Sequence, residues 1–233
     1  MGMTLLEKAR RRYGVGARGV IHIGGHLGQE AARYRAEGID DQLWIEPQPE
    51  AFEAMRAAVG DSPRVRCANV ACGSTRGVAQ LRQIDARGGG MSSLLEPGDE
   101  ARARFGAEVS RLIEVPVVPL DELLEELSVD RARFNGVVID VQGFELEVIR
   151  GAAGHIAAHV DVLVSEVSRR PLYEGSCLES DLDAELEPLG FARVYTRLKP
   201  YEHGDAIYLR RSRIGPLMNL RLRTIGPRVR RTG

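Results

Sequence analysis

From about residue 19 onward, short apolar runs rich in β-branched residues alternate with helical patterns, and this alternation constrains the fold more than any other feature. Gly19 to Ile23 leads through a glycine-rich turn into a helix carrying Glu30, Ala31, Ala32, Arg33 and Tyr34. Gln42-Leu43-Trp44-Ile45-Glu46 is a second run, after which Pro47 and Pro49 open a helix that ends near Gly60. A third strand spans about Arg64 to Asn69. Gly136 to Asp140 and Val160 to Glu166 repeat the pattern, each ending in a carboxylate, with a helix through Glu145 to Arg150 between them. A helix near Leu178 to Leu189 stops at Gly190, and Phe191 to Thr196 and Ala206 to Arg210 read as two closing strands. The expected class is α/β, a parallel sheet wound with helices, with about seven core strands.

Three segments stand apart from the alternation. Residues 1–18 read as an N-terminal helical extension, and residues 73–132 as an insertion or cap beside the sheet. Within that block Gly77 to Gln83 looks like an extra strand, Gly88 to Ser93 like a mobile loop, and Glu100 to Arg111 like a charged helix. Val115 to Leu120 then leads through Asp121, as N-cap, into a helix from Glu122 to Leu127. Residues 211–233 carry seven arginines and no acid, and repeat Ile-Gly-Pro at Ile214 to Pro216 and Ile225 to Pro227. Glycine-proline pairs break regular structure, so the segment reads as an appended basic tail. Its arginines, with Leu217, Met218, Leu220 and Leu222 among them, suit either plain solvent or an anionic membrane surface or partner.

Composition excludes more than it selects. Thirty-two basic against thirty-three acidic residues leave no overall field for nucleic acid. Cys67, Cys72 and Cys177 match neither a disulfide framework nor a zinc site, so the expected home is a reducing cytoplasm. The N-terminus lacks a signal-peptide run, and no stretch approaches the roughly 18 to 20 apolar residues of a membrane span, so a soluble protein is expected.

The turn Val20-Ile21-His22-Ile23-Gly24-Gly25-His26-Leu27-Gly28-Gln29-Glu30 has the form of a cofactor-binding loop. A dinucleotide fingerprint needs Gly-x-Gly-x-x-Gly; Gly25 and Gly28 fit the last two positions, but Ile23 occupies the first. The spacing acid-x-Gly-x-Gly-x-Gly fits at Gly24 and Gly28, with His22 in place of the acid and His26 in place of the middle glycine. Glu46, eighteen residues after Gly28 and at the end of the second strand, is placed to accept hydrogen bonds from a ribose. Both NAD and S-adenosylmethionine carry that ribose, so the turn and the acid leave the cofactor open. Tyr195 and Lys199 have the Tyr-x-x-x-Lys spacing of some reductases, but in a strand and turn that spacing does not put both on one helical face.

Further segments narrow the choice. Trp44-Ile45-Glu46-Pro47, Asn69-Val70-Ala71, Gly90 to Leu95, Val117 to Leu124, Ile139-Asp140-Val141-Gln142-Gly143-Phe144-Glu145 and Val148 to Ala152 follow the glycine turn in this order. With Glu166-Val167 and Leu189-Gly190-Phe191, they resemble the FkbM family of S-adenosylmethionine-dependent methyltransferases over about residues 19 to 210. The resemblance implies a Rossmann-like class I methyltransferase fold, a seven-stranded, mostly parallel sheet with an antiparallel last strand. It also implies S-adenosylmethionine as cofactor, and commonly O-methylation of a small hydroxylated metabolite, a sugar or a natural product. By position, Gly24, Gly25 and Gly28 line the methionine end, Glu46 holds the ribose hydroxyls, and Asn69 and Val70 lie near adenine. His22 departs from the acid many members have there; Glu30 is the substitute in reach, and His26 sits in the turn itself.

Methyl transfer from a sulfonium is an in-line displacement, for which a protein aligns the acceptor and excludes water. A hydroxyl acceptor also gains from a general base. Asp140 and Glu166 end adjacent strand runs, where open α/β sheets bind ligands. Two acids there suit acceptor binding, a shared divalent metal or proton abstraction, alternatives that the residues alone leave open. His203, between the last two strands, is the alternative base, while His155 and His159 read as surface residues and His22 as a hydrogen-bonded core residue. Ser92 or Ser93 is placed to donate a hydrogen bond if the glycine loop closes over the acceptor. A nicotinamide-dependent reductase and a non-catalytic cofactor-binding or docking module are the competing readings.

Overall fold

A computed structural model describes residues 3–224 and 226–232; of the features above, Ile225 in the second Ile-Gly-Pro lies outside the described residues. The chain runs α1 (Leu5–Tyr13), β1 (Gly19–Ile23), α2 (Ala31–Ala36), β2 (Asp41–Ile45), α3 (Pro49–Val59) and β3 (Val65–Ala68). The middle block holds β4 (Ala71–Cys72), β5 (Gly77–Gln83), α4 (Asp99–Phe105), β6 (Arg111–Val118) and α5 (Leu120–Glu126). The remainder is β7 (Gly136–Ile139), α6 (Glu145–Gly151), α7 (Ala153–His159), β8 (Val162–Ser168), α8 (Glu179–Leu186), β9 (Phe191–Leu198), β10 (His203–Arg210), α9 (Pro216–Thr224) and β11 (Arg228–Arg231).

The main sheet has the order β11-β9-β10-β8-β7-β1-β2-β3. Only β10 runs antiparallel to its neighbours; every other pairing is parallel. β1 and β2 are buried at every position, as strands covered on both faces must be. Alternate residues feed two cores. Ile21, Leu43, Val137 and Leu163 face a layer that includes Leu123, Ile149, Ile156 and Leu182 of α5 to α8. Val20, Trp44, Val162 and Ile207 face α1, α2, α3 and α9 through Leu6, Tyr34, Met55 and Met218.

The sheet has eight strands where seven were expected, and the eighth comes from the basic tail. Arg228–Arg231 pairs parallel with Tyr195 to Leu198, covering what would be the free edge of β9. An edge strand needs backbone partners on one side and little apolar surface, so four exposed residues, three of them arginine, suffice. Arginine-rich composition hides such a strand from pattern reading.

In the middle block, β4, β6 and β5 form a separate three-stranded sheet. The expected helix from Glu100 to Arg111 ends at Phe105, because Gly106 turns the chain left-handed (φ 61°), and Arg111 starts the strand that pairs antiparallel with β5. Asp121 caps a different helix from the one expected. α5 starts at Leu120 with Pro119 at its N-cap, and the Asp121 carboxylate instead accepts from the backbone N–H groups of Gly154 and His155 (both 2.8 Å) at the start of α7. His155 is fully buried rather than on the surface, and burial pushes its pKa down to about 4.

Candidate active site

β1 and β7 lie side by side, and their C-terminal ends meet at Gly24. Gly24 has φ 81°, and a Cβ there would lie 1.8 Å from the Asp140 carbonyl oxygen, so only glycine lets the two strand ends come this close. The backbone N–H groups of Gly24 and Gly25 both donate to the Ile45 carbonyl (2.9 and 3.0 Å), tying the turn to the end of β2.

Glu46 follows β2 and is buried, 7% exposed. Its Oε2 accepts from the His26 backbone N–H (2.8 Å) and its Oε1 from that of Gln48 (2.9 Å), while burial raises its carboxyl above the usual glutamate range. Asn69 donates its side-chain amide to the carbonyls of Glu46 (2.8 Å) and Pro47 (3.1 Å). It therefore braces the strand end from outside the cavity; Val70 is the neighbour that lines it. Gly28 is likewise not in the lining: a Cβ there would lie 3.2 Å from Val59 Cγ1, so it packs the turn onto α3.

His22 lies in the core with 5% exposure, stacked on Trp44 (4.6 Å between centroids) and hydrogen-bonded through Nδ1 to the Tyr34 hydroxyl (3.0 Å). Burial pushes its pKa down to about 3, so it stays neutral and offers no charge in place of the missing acid. Glu30, immediately before α2, does face the cavity. His26 has its ring Nε2 3.0 Å from the Gly88 carbonyl, and Ser92 Oγ donates to Gly89 O (3.0 Å). The first bond holds the glycine loop against the turn, and the second fixes the loop's own shape.

Across the cavity stand the two strand-end acids. Gln142, a non-glycine residue at φ 57°, donates both N–H bonds of its amide, to Asp140 Oδ1 (2.7 Å) and Glu166 Oε2 (2.8 Å). The Tyr173 hydroxyl lies 2.8 Å from the Met91 carbonyl and 3.1 Å from Gln142 Oε1, which orients that amide, and Ser93 Oγ donates to the Gln142 carbonyl (2.7 Å). Asp140 is open to the cavity but crowded by protein elsewhere, and loss of water raises its carboxyl above the aspartate range despite the Gln142 bond. Glu166 is raised well above its ordinary value, first by burial and then by Asp140 and Glu145. Sequence reading missed Gln142, Arg197 and Asp205; the last two form an ion pair (2.6 Å) on β9 and β10 that also lines the cavity.

His203 is the first residue of β10, just after the turn from β9, buried and edge-on to Phe105 at 5.6 Å, and it does not line the cavity. It lines a separate hollow of about 20 Å³ together with Glu166, Tyr173 and Cys177. Tyr195 hydrogen-bonds Lys8 (3.2 Å), so the Tyr195 and Lys199 spacing makes no reductase pair. Among the described residues, no group of three or more His, Cys, Asp or Glu side chains is arranged to hold a metal ion.

Glu145 sits beneath the acid pair, 3% exposed, with Oε1 accepting from Val141 N (3.2 Å) and Gly143 N (3.0 Å). Burial, opposed by these bonds and reinforced by Asp140, raises its pKa from 4.5 to about 7. A raised carboxyl pKa stabilises the fold fully below pH 4.5 and loses that contribution as pH climbs through 7, a loss of roughly 3 kcal/mol. Glu145→Gln should abolish that loss. Denaturant unfolding of both proteins at pH 5 and pH 8 should show the variant gaining on the wild type at the higher pH; a pH-independent difference refutes the assignment.

The glycine turn, Glu46 and the acid pair all open on one cavity of about 410 Å³, within the range of small-molecule sites. Among solved structures, the FkbM methyltransferase of Methylobacillus flagellatus is similar at 16% identity and TM-score 0.52, over 83% of this chain and 43% of that one. This chain therefore spans less than half the length of that protein. A NADB-Rossmann superfamily protein of Streptococcus agalactiae is similar at 13% identity and TM-score 0.52, over 98% of this chain and 76% of that one. A Streptococcus pneumoniae protein described as a candidate tRNA methyltransferase, solved with S-adenosyl-L-methionine, is similar at 12% identity and TM-score 0.50, over 90% and 73% of the two chains. At these identities the likeness concerns the fold, a Rossmann-like α/β sheet. No curated protein matches the chain. The family described as methyltransferase FkbM domain matches residues 22–195, and the chain belongs to that methyltransferase family.

Proposed function

We propose that the protein transfers a methyl group from S-adenosylmethionine to a hydroxyl of a small, hydroxylated acceptor. The observation that carries this reading is the acid pair held by Gln142 in the same cavity as the buried Glu46 carboxylate.

The residues present suit the cofactor. Each Glu46 oxygen accepts one backbone N–H and keeps a second lone pair, the acceptor set that a vicinal ribose diol needs. Glu30, Glu46, Asp140, Glu166 and Asp205 line the cavity against Arg33 and Arg197, so its field favours a sulfonium cation. When bound, S-adenosylmethionine supplies an electrophilic methyl group. Gly24, Gly25 and His26 shape the wall at the strand end, and the loop pinned at Gly88 shuts water out beside it.

Asp140 takes the acceptor proton. It is the acid beside the glycine turn, and its raised proton affinity makes it a stronger base than an ordinary aspartate. Gln142 ties Asp140 to Glu166 and fixes the distance between them, while the charges of Asp205 and Glu30 add to the proton affinity of Asp140.

Titration calorimetry should show S-adenosylmethionine and its demethylated product binding in the micromolar range, and assays with a panel of sugars and hydroxylated metabolites should show methyl ethers by mass spectrometry. Tight NAD binding with neither sulfur compound bound would sink the cofactor reading. Cofactor binding with no transfer to any hydroxyl would replace the enzyme by a binding module.

A further inference from the structure

The charge of this chain is segregated. Residues 211–233 hold seven arginines and no acid, whereas residues 1–210 hold 25 basic and 33 acidic side chains. Three tail arginines are engaged at home: Arg211 with Glu187 (3.3 Å), Arg213 with Asp161 (2.8 Å) and Arg231 with Glu202 (2.7 Å). Arg221, Arg228 and Arg230 are exposed, and among the described residues none of them has an ion-pair partner.

The apolar residues of α9 divide in the same way. Met218 and Leu222 pack onto the core face that also holds Val194 and Ile214. Leu217 and Leu220, three residues apart and so on one side of the helix, are 83% and 60% exposed; Leu217 is the most exposed large apolar residue among those described. Val229, between Arg228 and Arg230 on β11, is 41% exposed. A helix docked on a core through one apolar side has no need of leucines on another, unless that side also meets an apolar medium.

We infer that α9 and β11 form a docking surface for an anionic lipid bilayer, with Leu217 and Leu220 entering the acyl boundary and Arg221, Arg228 and Arg230 meeting phosphate headgroups. The chemistry is complementary on both counts: apolar depth for the leucines, negative surface charge for the arginines. Nucleic acid would use the arginines and leave the leucines in water. Arg230 lies in register with Arg197, which lines the cavity, so the docking surface sits one strand away from it.

The test is sedimentation of the full chain with vesicles of phosphatidylcholine alone and of phosphatidylcholine mixed with phosphatidylglycerol. Binding is expected to the mixed vesicles only, weakening with salt. Both the Leu217→Ser, Leu220→Ser pair and the Arg228→Gln, Arg230→Gln pair should lower it roughly tenfold. None of these four residues lines the cavity, so cofactor affinity in solution should stay at the wild-type value and certify the fold. Equal binding to both vesicle types, binding to neither, or anionic binding indifferent to the leucine pair overturns the inference. Displacement by duplex RNA with the leucine pair silent assigns the arginines to nucleic acid instead.

Discussion

Asp140→Asn should lower kcat by roughly 10²- to 10⁴-fold, the usual contribution of a positioned general base. Asparagine keeps the shape and still offers Oδ1 to the Gln142 amide, so cofactor affinity should change by no more than a few fold. The pH profile gives the sharper signature. Because burial and neighbouring acids raise the proton affinity of both Asp140 and Glu166, the acid limb of kcat/KM should lie above the range of a free carboxylate, with activity rising as the pH passes it. Asp205 is the neighbouring carboxylate that raises Asp140 most, so Asp205→Asn should lower its proton affinity and move that limb to lower pH with a smaller loss of kcat. Wild-type turnover by Asp140→Asn at neutral pH would take the base role away from this residue.

Glu46→Ala should weaken binding of the demethylated cofactor by roughly 100-fold, read by calorimetry. Hydrogen bonds from a diol to a carboxylate are worth about 1.5–3 kcal/mol each, and truncation also strands the His26 and Gln48 N–H groups that the carboxylate satisfies. Glu46→Gln separates these effects. An amide can accept from only one of the two N–H groups and turns its own donors on the other, so the turn and the ribose contact suffer together. Unchanged affinity in both variants would remove Glu46 from the cofactor site.

The parallel strands were legible because full burial on both faces leaves an unmistakable apolar run, and the strand-end acids followed from where those runs stop. What a strand end does not reveal is direction. Glu46 faces the cavity, whereas Asn69 at the equivalent end of β3 turns its amide back onto the Glu46–Pro47 backbone. His203 illustrates the same limit: one register step decides which hollow a side chain enters. Gln142 escaped notice because its role depends on a left-handed backbone in a turn, which glutamine does not advertise. Asp121 escaped because its partners are 33 and 34 residues away, beyond any local capping pattern.

The position of β1 at the heart of the sheet has a consequence for how the chain is made. β1 pairs with β2, which follows directly, and with β7, which begins only at Gly136. During synthesis, β1, β2 and β3 can assemble early, but the second edge of β1, a strand buried on both faces in the finished sheet, waits for the rest of the middle block to be translated. That interval exposes a strand edge well suited to mispairing, and it makes β7 the segment whose arrival closes the sheet. A nascent chain that ends before Gly136 therefore carries β1 with one edge unpaired, and β7 is the segment that covers it.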